Sequence, residues 1–229
     1  MQLTRKRVIV TAIDLLEAEG AGAVSMTRLA TELGCGMIAL YNLFDCRNEL
    51  LDAIANEIIS AVPISPEPAA SWQDQLRSQA RALRQAGAAR PRCMLLALSR
   101  PRACAAMARQ AETGLAALRA GGLSGPAAAR VLRALGALIS GWLLADVGVV
   151  PGLSDDDAEN GWPRLTPAQF PQLAALAADR RGREPEADFE FALDLLVLGA
   201  AALCPSPALP ALARDPLRDV VADLRSRTG

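Results

Sequence analysis

The sequence predicts an all-α protein on three observations. Apolar residues recur at i, i+3, i+4 and i+7 along almost the whole chain, and no segment alternates with the β-branched enrichment of a strand. The composition is aliphatic: 52% of the 229 residues are hydrophobic and only 3% are aromatic. Glycine, proline and capping hydroxyls interrupt the apolar pattern at helix-length intervals.

Taken in order, a first helix is expected from about Thr4 to Ala18, with Ile9, Ala12, Ile13 and Leu16 on one face and Gly20 and Gly22 ending it. Ser25 is placed to cap a short second helix striped by Met26, Leu29, Ala30 and Leu33, with Val24 and Leu29 as a hydrophobic staple across the cap. Gly34-Cys35-Gly36 leaves room only for a sharp turn into a third helix, about Met37 to Leu43. Two short helices joined by a glycine-containing turn of this length form a helix-turn-helix signature. A fourth helix, about Arg47 to Ala61, carries Leu50, Leu51, Ile54 and Ile58, and Pro63, Pro66 and Pro68 mark the end of a domain over 1–61.

Residues 62–229 read as a larger helical domain. Ser71 caps a helix to about Gly87 that turns Trp72, Leu76 and Leu83 inward, and a short helix near Arg92 to Leu98 stops before Arg100-Pro101. A helix from about Arg102 to Ala120 precedes a long one from about Gly125 to Val147, with Ser124 as cap and Pro126 at a tolerated early position. The stretch 148–164 is expected to be a mobile loop, because Asp155-Asp156-Asp157 cannot be buried unpaired. Further helices are expected from Thr166 to about Ala178, from Glu184 or Pro185 to Leu203, and around Leu217, Val220, Val221 and Leu224.

Composition excludes several chemistries. The chain has no histidine, which removes Ser-His-Asp and Cys-His catalysis and histidine-containing zinc sites. Cys35, Cys46, Cys93, Cys104 and Cys204 include no C-x-x-C pair, so they read as reduced apolar fillers of a cytoplasmic protein, with no disulfide framework. With no Gly-rich phosphate loop either, neither an enzyme nor a bound cofactor or metal is expected. Arg5-Lys6-Arg7 leads into an amphipathic rather than a uniformly apolar stretch, so no secretory signal is expected. The apolar run from Ala134 to Ala145 is short of a span, and that from Leu195 to Ala213 is broken by Pro205, Pro207 and Pro210, so no membrane association is expected.

The first 60 or so positions resemble the DNA-binding domain of the tetracycline-repressor (TetR) family. The resemblance rests on Ser25-Met26-Thr27-Arg28-Leu29-Ala30, the Leu33-Gly34 turn, Leu40-Tyr41-Asn42-Leu43-Phe44 and Glu49-Leu50-Leu51-Asp52-Ala53. The remainder is similar to the tetracycline-repressor type of C-terminal domain, through Ser71-Trp72-Gln73-Asp74, Ser99-Arg100-Pro101 and Phe189-Glu190-Phe191-Ala192-Leu193-Asp194-Leu195. The resemblance implies a homodimeric repressor of a palindromic double-stranded operator, released when a small molecule binds the larger domain. A helical binding or sequestration protein that no longer reads DNA is the alternative.

By family position, Thr27, Arg28, Met37, Ala39, Tyr41 and Asn42 would reach the duplex, with Arg5 and Arg47 at helix starts facing phosphates. The charge of the first 59 residues is five basic against eight acidic, so the position of the cations rather than their sum has to carry phosphate binding. Only Asn42 can pair bidentately with adenine, while Met37, Ile38 and Ala39 can offer apolar contact to thymine methyls.

In the tetracycline repressors histidines help hold a magnesium-chelated drug. Here Pro63 and Leu96 fall at those places, and the acidic residue supporting the metal falls at about Ala145, with Asp146 one place on, so that mode is not expected. The implied pocket is mostly apolar, walled by Leu83, Leu96, Met107, Leu115, Leu132, Trp142 and Phe170, with Gln79, Ser99, Arg100 and Glu112 as its polar minority. It suits a small hydrophobic or aromatic inducer such as an antibiotic or another natural product. The dimer interface is expected where Gly136, Ser140, Gly141 and Leu144 meet Leu196, Gly199, Ala200 and Leu203, since small residues let helices approach closely across a two-fold axis.

Overall fold

The computed structural model describes residues 3–64, 71–100, 104–146, 168–172 and 185–204, and every element longer than two residues among them is a helix. In chain order these are α1 (Arg5–Glu19), α2 (Met26–Leu33), α3 (Met37–Tyr41), α4 (Arg47–Ser60), α5 (Trp72–Ala89), α6 (Pro91–Ser99), α7 (Ala105–Ala120), α8 (Gly125–Asp146) and α9 (Pro185–Ala202).

The N-terminal unit forms as its caps and apolar spacing dictate. Thr4 accepts a hydrogen bond from the Arg7 amide to start α1, and Ser25 accepts one from the Arg28 amide to start α2. Gly34 ends α2 in the left-handed region, at φ +62°, where a side chain would be strained. Val8, Ala12, Leu16, Val24, Leu29, Leu40, Phe44, Leu50 and Ile54 close the core between α1, α2, α3 and α4. The third helix is shorter than its apolar pattern predicts. Its last residue is Tyr41 and Asn42 is its C-cap, because the Leu43 and Phe44 amides turn back to the Leu40 carbonyl and tuck Phe44 under the unit.

In the larger unit, α5 packs on α6, α7, α8 and α9, while α4 reaches up to pack on α6 and α7. Close approaches at glycines, two of them at Gly87 and Gly121, help set this packing. A Cβ on Gly87 would lie 2.1 Å from a Leu143 methyl, so α5 and α8 meet so closely there that any side chain in place of glycine would force Leu143 to move. A Cβ on Gly121 would meet the Trp72 indole at 2.7 Å. With 22 residues, α8 is long and apolar enough to cross a membrane by length and composition, and here it buries Ala128, Val131, Leu135, Ile139 and Leu143 among α5, α6, α7 and α9. The expected loop 148–164, most of the helix expected at 166–178, and the last helix at 217–224 lie outside the described residues.

Candidate nucleic-acid interface and ligand domain

The helix-turn-helix presents α3 outward. Leu40 is fully buried and fixes the rotation of the helix, leaving Ile38 79% exposed, Tyr41 47% and Met37 36%. Asn42, Thr27 and Arg28 are exposed on the same unit, and Ala39 is half-buried. Ile38, expected to offer apolar contact to thymine methyls though not among the residues placed at the duplex by family position, has the greatest exposure of any large apolar side chain described.

The arginines expected at phosphates are already engaged by the protein. Arg5 pairs with Glu49 at 2.7 Å, donates to the Leu43 carbonyl and lies 4.1 Å over the Phe44 ring. The hydrogen bond from Arg5 holds the Glu49 carboxyl below the usual carboxylate range. Arg47 turns inward: its guanidinium donates to the carbonyls of Val24 and Ala21, each at 2.6 Å, and so fastens the α1–α2 connection to the start of α4. Arg28 is shared between Glu19 at 3.1 Å and Glu32 at 3.6 Å. Lys6 and Arg7, on the first turn of α1, make no ion pair among the described residues.

Besides the α4–α7 contact, where the Ala106 amide donates to the Asn56 side chain at 3.0 Å, two clasps through α6 join this unit to the larger one. At the N-terminal end of α6 the Glu17 carboxylate accepts hydrogen bonds from the amides of Arg92, at 3.5 Å, and Cys93, at 3.1 Å. Those amides belong to the first turn and have no partner within the helix. In return the Arg92 guanidinium donates to the Glu17 and Ala18 carbonyls at 3.1 and 2.7 Å, at the C-terminal end of α1. Each charge thus sits at the helix end whose dipole favours it. Burial, reinforced by Glu17, pushes the Cys93 thiol up to about 12, so this cysteine stays a neutral filler. At the C-terminal end of α6, Arg100 pairs with Asp52 and donates to the Asn48 carbonyl on α4. Arg100, expected to line the pocket, thus makes its polar contacts at the α4–α6 junction.

The other expected pocket residues divide into two groups. Leu83, Leu96, Met107, Leu115, Leu132 and Trp142 are half-buried and pack against the core of the larger unit, on α5, α6, α7 and α8. Gln79 donates to the Gln110 carbonyl and side-chain oxygen at 2.6 and 2.9 Å, beside Gly114, and Gln110 is itself buried. Glu112 and Ser99 face solvent, Ser99 donating to the Leu96 carbonyl at 2.7 Å, and Phe170 is 44% exposed. Among the described residues no group of three His, Cys, Asp or Glu side chains is placed to hold a metal ion.

The α8–α9 face has three sides. Phe189, Leu193, Val197 and Ala200 point into the core, and Trp142 meets Phe189 edge-on at 5.7 Å. Glu186, Glu190 and Asp194 face α5, where Arg84, Arg81 and Arg77 meet them in antiparallel order, Arg81 gripping Glu190 with two bonds of 2.6 Å. Phe191, Leu195 and Leu198 point outward at 67%, 57% and 63% exposure. Gly136 and Gly199 are exposed, and a Cβ on either, or on Gly141, would meet nothing within 4 Å. Of the expected interface residues, Ser140, Gly141, Leu144, Leu196 and Leu203 are half-buried and Ala200 is buried, while Gly199 is exposed on α9 along with Leu195 and Leu198.

Residues 65–204 match the family described as tetracyclin repressor-like, C-terminal domain. The class A tetracycline repressor protein of Escherichia coli is 32% identical over 207 residues, covering 87% of this chain and 91% of that protein. Among solved structures, Streptomyces coelicolor ActR in complex with actinorhodin is 30% identical, with a TM-score of 0.75 over 90% of this chain and all of that one. BioQ of Mycobacterium smegmatis, solved with its natural double-stranded DNA operator, is 25% identical, with a TM-score of 0.62 over 88% of this chain and 99% of that one.

Proposed function

The chain belongs to the tetracycline-repressor family of transcriptional regulators, and on that premise we propose that it binds a palindromic operator as a homodimer and leaves it when a small, largely hydrophobic molecule enters the larger unit. The carrying observation is the double attachment of α6. Its first turn is capped by Glu17 of α1, and its last is tied to α4 through Arg100 and Asp52. Leu96, on the same helix, is one of the half-buried apolar residues expected to meet the inducer. A ligand that shifts α6 therefore acts on both α1 and α4, which carry α2 and α3 with them.

A two-fold dimer has to present its two α3 helices about 34–36 Å apart, so a small pivot of α4 is enough to spoil the fit to successive major grooves. The ligand need only favour the splayed arrangement: a coupling of about 1–3 kcal/mol changes operator affinity about 5–150-fold. The reading of its chemistry rests on the expected pocket walls. Leu83, Leu115, Leu132 and Trp142 favour an apolar or aromatic body, with the Gln79 amide as the polar contact. The lack of histidine argues against a metal chelate as inducer. Lys6 and Arg7, which make no ion pair among the described residues, join Thr27 and Tyr41 as the side chains we assign to the DNA backbone.

The test is an anisotropy titration of the duplex upstream of the chain's own gene against a scrambled duplex at physiological salt. A preference of about a thousandfold or more supports the reading, and equal affinity for the two duplexes would leave the sequestration alternative standing.

A further inference from the structure

The reading face of α3 lacks what such faces most often carry. From Leu33 to Phe44 there is no charged side chain, and the outward residues are Met37, Ile38 and Tyr41. The nearest arginines are committed to protein partners: Arg5 to Glu49 and the Leu43 carbonyl, Arg47 to Val24 and Ala21, Arg28 to Glu19 and Glu32. Base-edge chemistry narrows what remains. Guanine offers two acceptors in the major groove and is read by arginine or lysine, cytosine offers a donor read by a carboxylate, and adenine suits an asparagine amide. Thymine differs from all of these in presenting an apolar group, its C5 methyl.

We infer that the operator half-site is read through thymine C5 methyl groups packed against Ile38 and Met37, with Asn42 on a neighbouring adenine. This rests on the repressor reading above and adds the class of base that the face recognises. Ile38 is the specificity-determining residue. At 79% exposure it supports no packing within the protein, so its apolar surface is available to be buried on the duplex. Loss of one buried methyl corresponds to about a fourfold loss of affinity.

The experiment starts with a duplex selected from a random pool by the full-length protein at physiological salt. Each half-site thymidine is then replaced by deoxyuridine, which keeps every hydrogen-bonding group and removes only the methyl. Affinity is measured for the wild type, Ile38→Ala and Met37→Ala, with thermal melting of each variant to confirm that it is folded. The expected result is a loss of about fourfold at each contacted thymidine. A 5-methylcytosine·guanine pair placed there should bind more tightly than an unmodified cytosine·guanine pair. In Ile38→Ala the deoxyuridine penalty at its contact should fall to near unity. Sequence-selective binding that is indifferent to deoxyuridine, or a penalty undiminished in both variants, overturns the inference while sparing the repressor reading. Failure to select any preferred duplex overturns the repressor reading and this inference with it.

Discussion

Arg47 shows how a residue's place in the sequence and its work in the structure can part. At the start of α4 it occupies a phosphate-facing position by resemblance, yet its guanidinium forks onto the Val24 and Ala21 carbonyls. Arg47→Lys keeps the charge and loses the fork. The expected cost is about 1–2 kcal/mol, read as a melting temperature lower by about 2–8 °C, whereas a residue used only for phosphate would melt unchanged. Arg5 is similar, since its partners Leu43 and Glu49 stand 38 and 44 positions away. The sequence legibly placed these cations at helix starts, because capping and periodicity are local. Their partners were not legible, because they come from other helices. The same limit hid Arg100, whose partner Asp52 lies on α4. Leu40 inside and Tyr41 outside could be read, since one turn of apolar spacing decides them.

Between elements, the α1–α6 clasp gives a specific expectation. Glu17→Ala removes the acceptor for the Arg92 and Cys93 amides, so those two amides should exchange with deuterium faster than in the wild type, while amides in the middle of α8 should not change. Uniform acceleration through all helices would mean that Glu17 serves global stability rather than this junction. The α5–α8 contact gives another. Gly87→Ala forces a methyl against Leu143 and should destabilise by about 1–3 kcal/mol, measured by denaturant unfolding, although alanine is the better helix former. The α5–α9 clasp should depend on acid. Arg81 holds the Glu190 carboxyl below its usual range, so the stability from this pair is complete above the unfolded carboxylate value. It is lost as the pH falls through the lower folded value, and a pH series of thermal melts should show Glu190→Gln flattening that acid limb. That α8 and α9 carry an outward face was visible in their small residues. The register on α9 was not, because apolar residues occupy most of its circumference. The acidic row Glu186, Glu190, Asp194 was the available signal: with one side given to α5 and one to the core, Phe191, Leu195 and Leu198 are left outside.

At the scale of the whole molecule, that outward stripe is where two copies are expected to meet. Leu198→Arg places a charge on it and touches nothing in the core, so the variant should fold, sediment as a monomer at micromolar concentration and lose operator affinity, while the wild type sediments as a dimer. A net charge of −1 is compatible with this account because distribution governs phosphate contact. With few uncommitted cations on the N-terminal unit, the salt dependence of binding should be shallow for a dimeric repressor. The most direct test of the central claim, that this chain is a dimeric reader of a two-fold operator, is a hydroxyl-radical footprint on the duplex upstream of its own gene. Two symmetric protected segments about one helical turn apart are the predicted result. A single unsymmetrical segment, or none, would contradict it.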